Sequence, residues 1–258
     1  MQFPHINPVF LKLGPLELRW YGLMYIIGFA VAYFIIQAGA RRSDLPLTRD
    51  DVADLVFTVA IGIILGGRTG YILFYNLSYY MMHPLKLFAV WEGGMSFHGG
   101  LTGGILAGWY YVRKKKLDFW AVADVCFLAA PVGLGLGRIG NFINGELYGR
   151  ITNVPWGIVF PGGGPLPRHP SQLYEAFLEG PVLFLILWML HRRSLPSGVV
   201  FWSFIGLYGL FRIIVEFFRQ PDVQIGYLFG IFSMGQLLSL PMLLLGVAMV
   251  VRLCTKRR

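Results

Sequence analysis

Charged residues are scarce in this sequence. Only 14% of the 258 residues are Asp, Glu, Lys or Arg, whereas 56% are hydrophobic, and the mean hydropathy is +0.61. A typical soluble domain has about 25% charged residues, so the composition excludes an ordinary soluble protein. The scarcity of charge instead indicates a protein that crosses a membrane several times.

Residues for disulfide, metal and cofactor chemistry are equally sparse. Cys126 lies inside an apolar run and Cys254 near the C-terminus, so we expect no bridge between them. No two histidines are three or four residues apart, which argues against a metal site. The histidines are His5, His83, His98, His169 and His191. No cofactor motif is visible, and we expect no cofactor; MQFPHINPVF also lacks the apolar core of a cleavable signal peptide.

Long apolar runs are what the sequence does contain. A bilayer-spanning helix needs about 20 apolar residues, whereas a transmembrane strand needs about 10 of alternating polarity. Runs of the first kind lie at 19–38, 53–75, 97–112, 120–140, 172–190, 198–218 and 231–251. The sequence therefore predicts an all-α membrane protein, a polytopic bundle of about seven transmembrane helices. We expect one integral membrane domain, 1–258, with a small periplasmic loop region at 141–171.

Basic residues give the chain a net charge of +9. They cluster after alternate spans, at 41–49, 113–116, 192–193 and 252–258. By the positive-inside rule these segments lie in the cytoplasm, which predicts an outside N-terminus and an inside C-terminus. Membrane topology accounts for the charge, so we expect no nucleic-acid partner.

Unusual polar residues gather at one depth of the predicted bundle, at the outer ends of six spans. They are Tyr21, Arg68, His98, Arg138, Asn141, Asn144, Arg168, His169, Ser171, Gln172, Tyr174, Glu175, Arg212, Glu216 and Arg219. An ionisable residue inside a membrane is costly and by default indicates function. We expect a shared cavity that is electropositive, because its arginines outnumber the nearby carboxylates. Guanidinium groups bind phosphate well, so an anionic lipid headgroup is the expected ligand.

Two of these features have alternative interpretations. One helical stripe contains Tyr208, Arg212, Glu216 and Arg219, at i, i+4, i+8 and i+11. It could bind an anion, or it could be an ion-pair ladder that neutralises itself, above all between Glu216 and Arg219. His98, in SFHGG, could be a general base near neutral pH or an ordinary histidine at the membrane surface.

Other functions compete with an enzyme that acts on lipid. A transporter or channel for an anionic solute needs polar residues through the whole depth of the membrane. The inner halves of the spans are almost uncharged apart from Asp54 and Asp124, and no inverted repeat is visible. A non-catalytic protein that binds anionic lipid could use the same arginines, so that alternative stays open.

The stretch GRIGNFINGELYG, residues 137–149, resembles the signature of the bacterial prolipoprotein diacylglyceryl transferases. The matching positions are Gly137, Arg138, Gly140, Asn141, Phe142, Asn144, Glu146 and Gly149. Most of the chain shares the resemblance, through RWYGLMY (19–25), LGGRTGYILFYN (65–76), WEGGMSFHGGLTGG (91–104), LPRHPSQLYE (166–175), FRIIVEFFRQPD (211–222) and SMGQLLSLPM (233–242). It implies a seven-span protein of the bacterial inner membrane with a periplasmic site, which agrees with the topology inferred from charge.

The resemblance also implies a reaction. The diacylglyceryl group of phosphatidylglycerol would pass to the lipobox cysteine in the signal peptide of a prolipoprotein, forming a thioether and releasing glycerol phosphate. Membrane lipids are the other expected partners. We assign catalysis to His98 as the base and to Arg138 and Arg212, which would stabilise the leaving phosphate. The expected substrate-binding residues are Tyr21, Arg68, Asn141, Asn144, Glu146, Gly149, Glu175, Tyr208 and Glu216.

Overall fold

The computed structural model describes residues 1–4, 6–14, 16–89, 93–220, 227–228 and 232–256, without the side chains of residues 13, 16, 97, 227, 228 and 232. Its strands are β1 (Val9–Leu13), β2 (Leu16–Arg19), β3 (Tyr227–Leu228) and β4 (Phe232–Ser233). Its α-helices are α1 (Trp20–Arg42), α2 (Arg49–Tyr75), α3 (Leu77–Met82), α4 (Phe97–Lys114), α5 (Phe119–Ile143), α6 (Ser171–Phe177), α7 (Leu183–His191), α8 (Val199–Glu216) and α9 (Met234–Thr255). His5 and the motif segments 91–92 and 221–222 lie outside the described residues.

The prediction of a polytopic helical membrane protein is confirmed. Within the described residues, six helical segments are long and apolar enough to cross a membrane: α1, α2, α5, α8, α9 and the continuous segment Ser171–His191. That segment joins α6 to α7 through a π-helical turn, Leu178–Val182. The remaining predicted span corresponds to α4, which is glycine-rich, ends in Arg113 and Lys114, and is not one of the six. Seven is therefore an approximate count.

The chain forms two compact units, so the single domain expected from the sequence stays a prediction. Residues 40–122 form one unit, in which α2 packs against α4 through glycines on both helices. A Cβ at Gly66 would lie 2.8 Å from the Cα of Gly103, so the two backbones are in direct contact. Small residues at such crossings let membrane helices associate by close packing.

The second unit comprises residues 1–39 and 123–258. Its apolar core is a cluster of buried side chains from α5, α7 and α8. The members are Leu128, Leu183, Leu187, Val200, Phe204 and Phe211. At the beginning of α8 the buried carboxylate of Asp124 accepts hydrogen bonds from the backbone N–H groups of Gly198 and Phe201, both at 2.8 Å. Asp124 therefore caps α8, where a carboxylate complements the helix dipole.

Candidate active site

A cluster of three arginines and three glutamates lies in the unit formed by residues 1–39 and 123–258. Its members are Arg138 on α5, Glu175 on α6, Glu179 in the π-helical turn, Arg212 and Glu216 on α8, and Arg219 just after α8. The three carboxylates are buried, with residue exposures of 1%, 0% and 3% for Glu175, Glu179 and Glu216. Buried carboxylates need such partners, because an isolated buried charge is strongly unfavourable.

Two arginines converge on one oxygen atom. The Oε2 atom of Glu175 lies 2.6 Å from Nε of Arg138 and 3.1 Å from Nη1 of Arg212. Nε of Arg138 also lies 3.5 Å from Oε2 of Glu179. Glu175 thus holds guanidinium groups from two different helices at neighbouring positions, which their like charges would otherwise oppose.

The charged stripe on α8 does not form an ion-pair ladder within that helix alone. Nη2 of Arg212 lies 2.6 Å from Oε1 of Glu216, so Arg212 contacts two acids, Glu175 and Glu216. Arg219 makes the loosest contacts, 4.0 Å from Nε to Oε1 of Glu216 and 3.7 Å from Nη1 to Oε1 of Glu175. The helix ladder is therefore one part of a network that also joins α6.

Close packing of α5 against the π-helical turn brings these groups together. A Cβ at Gly135 would lie 3.1 Å from the Cα of Gly180, and a Cβ at Gly180 would lie 3.2 Å from the Cα of Gly135. Only small residues allow this approach. Arg138 follows Gly135 by about one helical turn and Glu179 directly precedes Gly180, so the same contact places their side chains within reach of each other.

The ion pairs of this cluster join three arginines to three glutamates, whose formal charges balance. A fourth arginine, Arg150, donates from Nη2 to the backbone carbonyl of Glu216 at 2.9 Å, so the expectation of an electropositive cavity stays a prediction. Our sequence analysis missed Glu179, which lies in the apolar run of α6 and α7. Its spacing of four residues from Glu175 was the available signal, because i and i+4 share one helix face.

The arginines form the open side of the cluster. The side chains of Arg138 and Arg212 are 19% and 13% exposed, whereas those of Glu175 and Glu179 are 1% and 0% exposed. The arginine side chains are therefore the more accessible members of the cluster, while Nη1 of Arg212 is itself buried beside Glu175. Such groups, already held in position, can stabilise charge that develops on a phosphate.

The end of α5 and the loop that follows form a second polar group. Oε1 of Glu146 accepts hydrogen bonds from Nδ2 of Asn141 at 2.8 Å and from Nδ2 of Asn144 at 3.2 Å. Nε2 of Gln172 donates to the backbone carbonyl of Glu146 at 2.6 Å. Asn144 and Glu146 are exposed whereas Asn141 is buried, so this group reaches the surface of its unit. Three of the expected substrate-binding residues thus lie together.

Gly149 contributes through its backbone. Its N–H donates to the carbonyl of His169 at 2.8 Å, and it pairs with Arg219 in an isolated antiparallel bridge. A Cβ at this position would lie 2.8 Å from both Cβ and the carbonyl oxygen of His169. Gly149 therefore lets the loop after α5 pack directly against the segment that follows α8.

Tyr21 and Tyr208, the two tyrosines expected at the site, belong to the same unit as the arginine–glutamate cluster. The ring of Tyr21 packs on Gly140, where an added Cβ would lie 2.8 Å from Cδ2 of the ring. Its hydroxyl lies 3.3 Å from that of Tyr25. Tyr208 stacks on Phe204 with ring centroids 5.9 Å apart and has Glu179 among its electrostatic neighbours. Tyr208 thus borders the arginine–glutamate cluster.

Arg68 is held by backbone carbonyls of its own unit, and its expected role in substrate binding stays a prediction. It is 4% exposed, and its guanidinium donates to backbone carbonyls within its own unit. The acceptors are Lys86, Leu87, Gly93 and Gly94. The guanidinium also lies 5.0 Å from the ring centroid of Tyr80. These carbonyls and this ring surround the guanidinium group, so we interpret Arg68 as a residue that holds Lys86 and Leu87 close to Gly93 and Gly94.

His98 lies in the first turn of α4, in the unit formed by residues 40–122. It is exposed, and it lines an open groove of about 680 Å³ between α2 and α4. Ser96 caps this helix by accepting a hydrogen bond from the N–H of Gly99 at 3.2 Å. His98 and Arg68 belong to this unit, whereas the other ten expected site residues belong to the second unit. The role of His98 as a base stays a prediction.

A small aromatic group surrounds His169, before the beginning of α6. Nε1 of Trp156 donates to the hydroxyl of Tyr174 at 2.7 Å, and that hydroxyl lies 3.1 Å from Nδ1 of His169. The tyrosine can then donate its own proton to a neutral imidazole. Burial lowers the pKa of His169 below its usual value, which favours the same neutral form.

The six apolar helical segments among the described residues define a polytopic membrane protein, and its buried cluster of opposed charges is the candidate site. The family described as Prolipoprotein diacylglyceryl transferase matches residues 8–252, and the chain belongs to that family. The chain is 72% identical over 251 residues to the Phosphatidylglycerol--prolipoprotein diacylglyceryl transferase of Geobacter sulfurreducens. The matched residues cover 97% of this chain and 96% of that protein. The protein of the same name from Desulfotalea psychrophila is 53% identical over 252 residues, covering 95% and 93%. The one from Pseudoalteromonas atlantica is 54% identical over 253 residues, covering 96% and 90%.

Proposed function

We propose that this chain transfers the diacylglyceryl group of phosphatidylglycerol to the lipobox cysteine of a prolipoprotein. Membership of the transferase family supports the reaction. The observation that assigns it to particular residues is the pair of partly exposed arginines, Arg138 and Arg212, which contact one oxygen of Glu175. A phosphodiester is an anion with oxygens that match such a pair.

The reaction is an alkyl transfer. The cysteine sulfur attacks the glyceryl carbon next to the phosphate ester oxygen, a C–S bond forms and the C–O bond breaks. The electron pair of the broken bond leaves on glycerol phosphate, and the thiol loses one proton per turnover. Because a thiol with a pKa of about 8.5 is mostly protonated at neutral pH, the site must favour the thiolate.

Each group has a distinct role in this proposal. Arg138 and Arg212 bind the phosphate and stabilise the charge that it gains as it leaves. Glu175 and Glu216, which the sequence assigns to the substrate-binding site, hold these arginines in place. Asn141, Asn144 and Glu146 orient the glycerol headgroup, Tyr21 and Tyr208 border the bound lipid, and Gly149 keeps the loop close. His98 accepts the proton of the thiol.

The test is a mass-shift assay. Purified protein in detergent is mixed with phosphatidylglycerol and a lipobox peptide, and the peptide is analysed by mass spectrometry. We expect the gain of one diacylglyceryl group together with release of glycerol phosphate, and no gain in a peptide with serine in place of the cysteine. Folded protein that binds the lipid but never modifies the peptide would overturn the proposal in favour of a lipid-binding function.

Arg138→Lys in the same assay tests the guanidinium geometry. Lysine keeps the charge but loses the planar fork, so we expect kcat/KM to fall about a hundredfold. Arg113→Lys is the matched control, since Arg113 is exposed at the end of α4 beside Trp109. Near-normal activity of Arg138→Lys would exclude fork recognition of the phosphate.

His98→Ala tests the base. We expect a lower kcat, because the thiol would lose the group that accepts its proton. An unchanged rate and pH profile would mean that the arginines alone favour the thiolate.

We further propose that the chain lies in the bacterial inner membrane with its N-terminus and active site in the periplasm. The basic clusters at 113–116, 192–193 and 252–258 support this orientation. Cys254 is exposed near the C-terminus and provides a probe. A membrane-impermeant maleimide should label it in inverted vesicles and not in intact spheroplasts, and Cys254→Ser should abolish that labelling. Labelling in spheroplasts would reverse the orientation.

A further inference from the structure

The carboxylate of Glu216 has a second partner besides Arg212. Its Oε1 lies 2.6 Å from Nη2 of Arg212, and its Oε2 accepts a hydrogen bond from the hydroxyl of Ser233 at 2.7 Å. Both Glu216 and Ser233 are buried, at 3% and 2% exposure. Each oxygen therefore has its own partner, and the two contacts together fix the rotation of the carboxylate.

The direction of the hydroxyl proton follows from the hydrogen bonds around Ser233. This residue caps α9, and its Oγ accepts a hydrogen bond from the N–H of Gln236 at 3.1 Å. A serine hydroxyl has one proton to donate, and Glu216 is an acceptor at short distance. The Ser233–Glu216 bond is therefore charge-assisted, and such bonds are shorter and stronger than neutral ones.

The beginning of α9 holds Glu216 tightly from another side. A Cβ at Gly235 would lie 2.5 Å from Cδ of Glu216, so the carboxylate lies against the backbone of the first turn. The N-terminal end of a helix favours a negative charge. Hydroxyl, backbone and helix end thus act on the same carboxylate, which in turn contacts Arg212.

We propose that Ser233 is a positioning residue for Arg212, acting through Glu216. This inference rests on the proposed transferase function, in which Arg212 stabilises the leaving phosphate. Ser233 touches neither phosphate nor peptide. It keeps Oε1 of Glu216 aimed at Arg212, so that the guanidinium is in place before charge develops. Small displacements of such a group are costly in rate.

The experiment compares three variants in the mass-shift assay run as a kinetic series, with unfolding in detergent measured alongside. Ser233→Ala should lower kcat about tenfold, the effect of losing roughly one charge-assisted hydrogen bond, with a much smaller change in the KM for phosphatidylglycerol. Ser233→Thr keeps the hydroxyl and should retain most of the wild-type rate. Gln236→Ala removes the reciprocal bond, in which the N–H of Ser233 donates to Oε1 of Gln236, so it weakens the cap and should leave kcat unchanged.

A double-mutant cycle with Glu216→Gln separates positioning from a general effect on folding. Under single-turnover conditions, Ser233→Ala should have little further effect on the rate once Glu216 is replaced. Fully additive effects, or equal kcat losses in Ser233→Ala and Gln236→Ala, would overturn the inference. Absence of turnover in the wild type would instead reject the transferase function itself.

A further variant applies if Ser233→Ala does not fold. Gly235→Ala would push the carboxylate of Glu216 away while leaving the Ser233 hydroxyl intact. We expect it to lower kcat in the same way, and an unchanged kcat in folded Gly235→Ala would also overturn the inference.

Discussion

Arg138 and Arg212 contact the same carboxylate oxygen, Oε2 of Glu175, at 2.6 and 3.1 Å. The two arginines come from α5 and α8, and the acid between them comes from α6. One carboxylate thus sets the separation of two like charges from two helices. The spacing of the proposed phosphate-binding pair depends on Glu175 as much as on the arginines.

Replacing Glu175 with Gln should affect both stability and activity. Removing one member of a buried charge network leaves its partners uncompensated, and we expect a loss of roughly 3 kcal/mol in the free energy of unfolding. The rate of transfer should fall as well, because both arginines lose their shared contact. Glu17→Gln is the control: Glu17 pairs with Lys12 at 3.1 Å on an exposed hairpin, where ion pairs contribute little. Equal unfolding temperatures for the two variants would contradict the role given to Glu175.

Replacing Glu179 with Gln should tighten lipid binding. Three arginines would then face two carboxylates, and one competitor for Arg138 would be removed. An extra unbalanced charge near a bound phosphate is worth about 1 kcal/mol, so we expect the KM for phosphatidylglycerol to fall about fivefold. The measurement is initial rate against lipid concentration, again with Glu17→Gln as control. An unchanged or higher KM in folded protein would mean that Glu179 does not compete with the lipid.

Replacing Gly149 with Ala should destabilise the protein. The new methyl group would lie 2.8 Å from the backbone carbonyl oxygen of His169. A backbone atom cannot move away from such a contact as the end of a flexible side chain can. Overpacking of this kind costs about 1–3 kcal/mol. Gly162→Ala is a matched control in the same loop, since its Cβ would lie 3.6 Å from the hydroxyl of Tyr148, an ordinary contact. Thermal unfolding in detergent distinguishes the two, and equal midpoints would mean that the loop readily moves away.

His169 should make stability depend on pH. Burial lowers its pKa in the folded protein below the ordinary value of about 6.5. Between the two pKa values the unfolded chain binds more protons, so stability rises with pH across that interval. The contribution is complete above about pH 6.5 and is lost as the pH falls toward the folded pKa. Unfolding midpoints measured from pH 8 to 5 should decline less in His169→Gln than in the wild type; parallel curves would exclude His169 as the cause.

The helices could be predicted from the sequence because hydrophobicity acts over about 20 residues at a time. The apolar run at 120–140 became α5, Phe119–Ile143, and the run at 172–190 became the segment Ser171–His191. An apolar run of this length predicts a helix independently of the rest of the sequence. The case of α4 is weaker, because glycines and two terminal basic residues dilute its hydropathy.

The partners of the charged side chains could be predicted only in part. The stripe on α8 correctly grouped Arg212 with Glu216, since helix geometry alone decides it. Glu179 was missed because it lies inside an apolar run, although its spacing of four residues from Glu175 places both acids on one helix face. The partners of Arg68 depend on how the chain between α3 and α4 folds back on α2, which no local pattern specifies.

The π-helical turn at Leu178–Val182 sets how the side chains before and after it are oriented, so the number of residues in the segment Ser171–His191 matters as much as their identity. Before the turn Glu175 points to the arginines, and after it Leu183 and Leu187 fill the apolar core. Each residue of an α-helix advances the direction of the side chain by about 100°. Adding a single residue to the segment would therefore rotate the acid against the leucines, and one of the two would lose its partners. A deletion within the turn has a different consequence: a π-helical turn holds one residue more than an α-helical turn, so the shorter segment would form a regular α-helix with both faces still in register.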